Sequence, residues 1–188
     1  MNKKQAIIIE PTKAYNFLFH DILINLIKDR DYTLIFLINS EKQMNSYLEF
    51  KNDNNIIINV NKKFEIKDNN LDIKDLYLKS IKYEKKYKLN NIRDILFQDR
   101  ALSSFFLNYA PFYSLKPKKV KSLNAYYSII NECYDFAEHI CKDFYIEYAF
   151  MRPDSIHGAP IVNVLEQNNC LVTVPVSARY KGYASWSY

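Results

Sequence analysis

The sequence predicts an α/β fold in which helices flank a Rossmann-like, mostly parallel β-sheet. Several short runs are continuously apolar, which is typical of parallel strands buried on both faces. Segments with apolar residues three and four positions apart lie between these runs and indicate amphipathic helices. The order strand, helix, strand occurs near both ends of the chain. This alternation is the pattern of a doubly wound parallel sheet.

The first half of the chain supplies three of the predicted strands. The run AIIIE at residues 6–10 is apolar and is stopped by Pro11, so it predicts a buried strand. Residues 14–30 have a helical pattern of apolar side chains. Residues 32–40 and 55–60 then predict a second and a third buried strand.

The middle of the chain is mainly helical by its pattern. Residues 61–90 are polar and rich in lysine, and predict a loop followed by an exposed amphipathic helix at 73–87. Residues 91–110 predict a helix that ends ahead of a proline, because the residue before proline disfavours the α region. The strongest helical pattern runs over residues 122–144, where Ser122 can cap the first turn.

The last part of the chain repeats the unit with which the chain begins. FYIEYAFMRP at residues 144–153 predicts a strand, GAPIVNVLEQNN at 158–169 a short helix, and CLVTVPVS at 170–177 another strand. Both glycines of the protein, Gly158 and Gly182, lie in this region. The loop between the first strand and the helix is therefore a candidate ligand loop of a parallel sheet.

Length and composition favour one globular domain spanning residues 1–188. The chain is 48% hydrophobic and 25% charged, and it has no apolar run near the ~18 residues of a membrane span. The N-terminal apolar run is too short for a secretory signal, so a cytoplasmic location is expected. Three cysteines without C-x-x-C spacing predict buried, reduced thiols and no zinc site.

The net charge of +5 does not by itself identify a partner. Lys, Asn, Ile, Tyr and Phe share AT-rich codons, and codon composition alone can produce a basic, aromatic chain. The densest basic run is KPKK at residues 116–119. A solvated loop is one interpretation of this run, and a contact with an anionic membrane surface is the other. No RNA-binding signature accompanies the run, so nucleic acid is not an expected partner.

The loop after the strand at 144–153 is the main candidate site. It carries a cation, a carboxylate, a hydroxyl, an imidazole and a glycine, at Arg152, Asp154, Ser155, His157 and Gly158. By residue type, His157 and Asp154 are the candidate general bases, and Arg152, Ser155 and Gly158 are candidates for binding substrate. Structural roles are open for the same residues, since a single His is often a packed residue and Asp often caps a turn.

Further candidates follow other predicted strands. SARYKGY adds Arg179 and Tyr180 after the strand at 170–177, where the Arg179 guanidinium could share an anionic group with that of Arg152. Glu10 and His20 lie near the first strand-to-helix turn and are second-line candidates for binding substrate. A surface ion pair or a solvated helix face explains these residues equally well.

Residues 152–187 resemble the closing part of the N-terminal domain in bacterial capsule and surface-polysaccharide glycosyltransferases of the two-Rossmann-domain GT-B class. The earlier part of the chain shares only the predicted topology with that class. The positions that match the shared pattern are Arg152, Gly158, Ala159, Ala178, Arg179, Tyr180, Gly182 and Trp186.

The resemblance implies the acceptor-side half of a longer enzyme, in which a second domain mainly holds the nucleotide-sugar donor. No cofactor is then expected in this chain, although the full-length enzyme would use a nucleotide sugar without a metal. The implied partner is a glycan or lipid-linked glycan acceptor, which would bring the protein to the inner face of the membrane. The isolated acceptor-side half of the enzyme is not expected to turn over substrate.

Two other functions are open on the sequence. The first is a carbohydrate- or nucleotide-binding module of the same fold without catalysis. The second is a different enzyme on a parallel sheet, such as a phosphate-ester hydrolase or a small-molecule transferase, but the chain has no G-x-S-x-G elbow. It has no glycine-rich phosphate loop either, since it contains only two glycines.

Overall fold

A computed structural model describes residues 3–11, 25, 31–52, 54–65, 72–98, 122–177 and 184–187. The chain divides into two compact units. The sheet unit comprises the described residues within 1–63, 139–152 and 165–188, and the helical unit those within 64–138 and 153–164. The single domain expected over residues 1–188 stays a prediction.

The sheet unit contains a six-stranded sheet of Rossmann-like topology. The strand order is β3-β2-β1-β4-β5-β6, in which the first five strands are parallel and β6 is antiparallel to β5. This order confirms the predicted α/β fold class, since it is the strand order of doubly wound dinucleotide-binding sheets. The strands are β1 (Lys4–Ile9), β2 (Thr33–Ile38), β3 (Ile56–Asn59), β4 (Phe144–Phe150), β5 (Leu171–Ser177) and β6 (Ala184–Ser187).

The core of the sheet unit is almost entirely apolar. All six side chains of β2 are buried, as expected for a central parallel strand covered on both faces. On one face Phe36 is paired in register with Ile9, and its ring packs 5.3 Å from Tyr47 and 5.8 Å from Phe50. Burial of each such side chain contributes about 1.5–3 kcal/mol to folding.

A register shift in β4 keeps both of its faces packed. Ala6 pairs with Ile146 and Ile7 pairs with Tyr148, so Glu147 is an additional residue in β4. The hydroxyl of Tyr32 donates a hydrogen bond to the Glu147 carboxylate. Because of the shift, the buried residues Ile146 and Ala149, three positions apart, are in register with the same face of β1.

Short helices follow β2 and β3 in the sheet unit. Helix α1 (Glu41–Asn45) begins after Ser40, whose Oγ accepts a hydrogen bond from the Gln43 N–H at 3.1 Å. A 3₁₀ turn at Leu48–Phe50 brings aromatic side chains onto the sheet core, and α2 is Val60–Lys63.

Helices make up most of the described part of the helical unit. They are α3 (Ile73–Lys86), α4 (Asp94–Gln98), the greater part of α5 (Leu123–Asp143) and the first part of α6 (Gly158–Gln167). The predictions for α3 and α5 are confirmed, and Ser122 Oγ accepts from the Ala125 N–H at 3.3 Å as expected of a cap. No helix within the described ranges is both long and apolar enough to cross a membrane.

The α3 and α5 helices are joined through buried polar groups. Ser80 Oγ donates to Asn131 Oδ1 at 2.9 Å, and Asn131 Nδ2 donates to the Leu76 carbonyl at 2.9 Å. Beside this pair the rings of Tyr83, Tyr87 and Tyr134 all contact one another, and the centre of the Tyr134 ring lies 4.5 Å from that of Tyr83 and 5.2 Å from that of Tyr87. Buried polar contacts of this kind fix the register of two helices because each misplacement leaves a donor unpaired.

The prediction of buried, reduced thiols is confirmed, whereas predictions for residues 14–30 and 116–119 fall almost entirely outside the described residues. Cys133, Cys141 and Cys170 are buried and reduced. Burial raises the pKa of the Cys170 thiol to about 12, so this thiol stays protonated at neutral pH. All of the predicted helix 14–30 except residue 25, and the basic run at 116–119, lie outside the described ranges.

Candidate functional site

The candidate site lies in the sheet unit, where the strand order reverses. β1 is hydrogen-bonded to β2 on one side and to β4 on the other, so the connections leave these strands in opposite directions. Open parallel sheets bind ligands in the crevice at the carboxyl ends of the strands at this reversal. Glu10 follows β1 and Arg152 lies two residues after β4, so two of the predicted binding residues lie at this crevice.

The carboxylate of Glu10 connects the ends of three strands. Its Oε2 accepts a hydrogen bond from the Arg152 backbone N–H at 2.9 Å, and its Oε1 lies 3.6 Å from Arg152 Nη2. The same Oε1 accepts from Asn39 Nδ2, at the end of β2, at 3.4 Å. The Glu10 N–H donates to the Phe150 carbonyl at 2.7 Å, which holds the two chain segments together. Glu10 is therefore better suited to position Arg152 than to bind a substrate itself.

The Arg152 guanidinium is exposed enough to reach a ligand at this edge of the sheet. Its side chain is 45% exposed, whereas the Glu10 side chain is only 10% exposed. Guanidinium groups bind carboxylates and phosphates through two parallel N–H donors. With Glu10 behind it, Arg152 has the chemistry of an anion-binding residue that is held in place before the ligand arrives.

A network of side-chain amides that was not predicted from the sequence supports this edge of the sheet. The Asn39 N–H donates to Gln43 Oε1 at 2.9 Å, and Gln43 Nε2 donates to the Pro11 carbonyl. Asn61 Nδ2 donates to the Asn39 carbonyl at 2.5 Å. The signal that could have identified Asn39 is its position directly after the apolar run of β2, which places it at the carboxyl edge of the sheet.

In the helical unit, two of the residues predicted to bind substrate, Ser155 and Gly158, form a hydrogen bond with each other at the start of α6. Ser155 Oγ accepts from the Gly158 N–H at 2.8 Å, and the Ser155 carbonyl accepts from the Ala159 N–H at 3.0 Å. Pro160 has no N–H to offer. The start of α6 therefore engages its first two N–H groups within the chain, and Ser155 has the geometry of a helix cap.

His157 is packed against the helical unit, and Asp154 lies beside the cap. The imidazole of His157 stacks on Phe64 with ring centres 5.9 Å apart, and its Nε2 lies 3.4 Å from the Phe64 carbonyl. Phe64 in turn packs edge-on against Phe136 at 5.3 Å. These are the contacts of a packed aromatic residue, which is the structural role that the sequence left open for His157. Asp154 is half-buried.

The remaining predicted site residues lie outside the described ranges. They are His20, Arg179 and Tyr180. Among the described residues, no group of three His, Cys, Asp or Glu side chains is arranged to hold a metal ion. Comparison of the chain with protein-family models, with curated proteins and with solved structures found no match.

Proposed function

We propose that this chain is the acceptor-side half of a GT-B glycosyltransferase that acts in capsule or surface-polysaccharide biosynthesis. The single observation that supports the proposal best is the Glu10–Arg152 pair at the reversal of a Rossmann-like sheet. Transfer from a nucleotide sugar releases a nucleoside diphosphate or monophosphate. A fixed cation beside the reacting groups stabilises the negative charge that develops on this leaving group. Arg152 has the exposure and the support for this role, with Glu10 as its positioning residue.

The other parts of the proposal come from the resemblance of residues 152–187. The donor is a nucleotide sugar bound mainly by a second domain, and the acceptor is a glycan or a lipid-linked glycan at the inner membrane surface. The chain is cytoplasmic in this proposal and takes no nucleic acid partner. The general base is assigned to Asp154 or His157 only as a hypothesis, since the packing of His157 on Phe64 equally suits a structural role.

The test is nucleotide release by the native protein purified from its source cells. A panel of UDP-, GDP- and CMP-sugars is incubated with the protein and with lipid-linked glycans extracted from the same cells. We expect release with one donor, and we expect Arg152→Ala to lower kcat/KM by about 100-fold or more, a typical loss when a charge-stabilising donor is removed. Arg152→Lys keeps the positive charge but cannot form bidentate hydrogen bonds. Its kcat/KM should therefore lie between those of the unmodified protein and of Arg152→Ala.

A matched control separates this role from a general loss of positive charge. Lys4→Ala removes a cation from the amino end of β1, at the opposite end of the sheet from Glu10, and should leave turnover unchanged. Normal turnover by a folded Arg152→Ala protein would remove Arg152 from the site. Binding of the glycan without turnover of any donor would exclude the enzyme and support the non-catalytic binding module.

A further inference from the structure

A second site is indicated by a pocket in the helical unit, which is unrelated to the proposed glycosyl transfer. The pocket has a volume of about 420 Å³ and is bounded by residues of α3 and α4 and by the start of α5. Its apolar wall includes Ile73, Leu96 and Leu123. Ile73 is 42% exposed and Leu123 is 48% exposed, so two large apolar side chains that line the pocket also face solvent.

Two tyrosines and an arginine form the other wall. The rings of Tyr77 and Tyr127 meet edge to face with centres 5.5 Å apart. The Arg93 guanidinium lies 5.7 Å from the centre of the Tyr77 ring, and its Nε donates to the Tyr127 hydroxyl at 3.3 Å. Arg93 is thus held at the pocket by two aromatic residues while its side chain stays exposed.

The charges at the pocket are of one sign. Lys74 and Arg93 both line it, and no carboxylate lies among the described residues that form its walls. An apolar wall would not retain a small hydrated anion, and two cations would not favour a purely apolar ligand. The volume lies within the range of small-molecule sites, which is roughly 300–1,000 Å³.

We infer that this pocket binds an amphiphilic anion, a molecule with one hydrocarbon chain and a carboxylate or phosphate head. The chain would lie against Ile73, Leu96 and Leu123, and the head would meet Lys74 and Arg93. The two cations complement the charge of the head, and the apolar side chains complement the hydrocarbon tail. Together they define this class of ligand. A single lipid molecule meets the description, because the head group needs two donors and the tail needs a cavity.

The test uses dodecyl phosphate below its micelle concentration, titrated calorimetrically into the 188-residue chain. We expect saturable binding with one molecule per chain. Inorganic phosphate lacks the tail and dodecyltrimethylammonium reverses the charge of the head, so each should bind at least about tenfold more weakly. Dodecanoate in place of dodecyl phosphate tells whether the head is a carboxylate or a phosphate.

Variants locate the binding in the pocket. Arg93→Gln and Lys74→Gln should each weaken binding of dodecyl phosphate by about tenfold, the loss expected for one charged hydrogen bond. Lys85→Gln removes the same charge from an exposed position of α3 outside the pocket and should leave the affinity unchanged. If Arg93→Gln changes the melting temperature, Lys74→Gln and Leu123→Glu, both at exposed residues, give the answer independently.

Three results would overturn the inference. They are equal binding of dodecyltrimethylammonium, equal losses for Lys85→Gln and Lys74→Gln, and binding to phosphatidylglycerol vesicles without any binding of the monomeric amphiphile. The last result would indicate a membrane-surface contact in place of a pocket for one molecule.

Discussion

In the sheet unit, β2 buries five apolar side chains and one threonine, whereas the buried contact of α3 with α5 includes a serine, an asparagine and three tyrosines. The sheet places its polar chemistry at the strand ends, where Glu10 holds Arg152. The helical unit has polar side chains in its buried helix–helix contact, where their hydrogen bonds fix the register of α3 against α5.

This difference shows that the same chain uses two kinds of specificity. Parallel strands are specified by backbone hydrogen bonds, so their side chains need only fill space. Two helices have no backbone hydrogen bonds between them, so paired side chains must fix their register. We therefore expect the sheet unit to be sensitive to lost volume and the helical unit to lost hydrogen bonds and to pH.

The largest effect is expected from Phe36→Ala in the sheet unit. The variant should lose about 3–5 kcal/mol of unfolding free energy, because it removes a fully buried ring and leaves a cavity beside Tyr47 and Phe50. Urea denaturation measures the loss, and hydrogen exchange of peptides from β1 and β2 assigns it to the sheet unit. Phe36→Leu, which retains most of the volume, should cost much less. A loss below about 1.5 kcal/mol for the alanine variant would contradict a volume-dependent core.

A smaller effect is expected from Asn131→Ala in the helical unit. It removes the Oδ1 that accepts from Ser80 Oγ and the Nδ2 that donates to the Leu76 carbonyl, and leaves that carbonyl only its contact with Ser80 Oγ at 3.0 Å among these side chains. The loss of two buried hydrogen bonds should cost about 1–3 kcal/mol. Ser80→Ala combined with Asn131→Ala should cost less than the sum of the two single losses, since both variants remove the same bond. Strict additivity in the urea-derived free energies would show that the two side chains are not coupled.

The smallest effect is expected on the pH dependence of stability, which should fall in the helical unit as the pH becomes acidic. Burial raises the pKa of Glu138, but hydrogen bonds from Lys86 and Tyr87 outweigh it and hold that pKa below its ordinary value near 4.5. A carboxyl with a lowered pKa in the folded state stabilises the fold above about pH 4.5. That stability is lost as the pH falls further through the folded-state pKa.

Melting temperatures measured between pH 7 and pH 3 provide the check. Glu138→Gln should show a shallower decline than the unmodified chain, because it removes the titrating group. Glu132→Gln removes a carboxylate from the same helix without touching Lys86 or Tyr87, and should keep the decline. Identical pH profiles for Glu138→Gln and the unmodified chain would assign the acid sensitivity elsewhere.

Much of the fold was predictable because its signals are local. The apolar run at residues 6–10 overlaps β1, the run at 32–40 contains β2, and the helical periodicity at 73–87 matches α3 within one residue. The register shift at Glu147 was not predictable, since it depends on how β4 meets β1 across more than 130 residues of sequence. The antiparallel strand β6 lies in a short stretch with no alternation long enough to be informative.

The positions of Glu10 and Arg152 at the strand ends could be predicted from the sequence, but the contact between them could not. Arg152 and Glu10 were both selected by their positions after apolar runs, and a shared anion for Arg152 and Arg179 stays a prediction because Arg179 lies outside the described residues. The structure pairs Arg152 with Glu10, because β1 and β4 are neighbours in the sheet. The packing of His157 on Phe64 depends on a contact 93 residues apart in sequence, and no local pattern reports such a contact.

The strand order also affects the tendency of the folded chain to aggregate in a crowded cell. In the described sheet the outermost strands are β3 and β6, and each is only four residues long. Sheet edges present unpaired backbone groups that can recruit another chain, and short edge strands limit this form of aggregation. The longer and more apolar strands β1, β2 and β4 lie inside the sheet, where each has a neighbour on both sides. Once the sheet has formed, its most aggregation-prone sequences are therefore the least accessible to other chains.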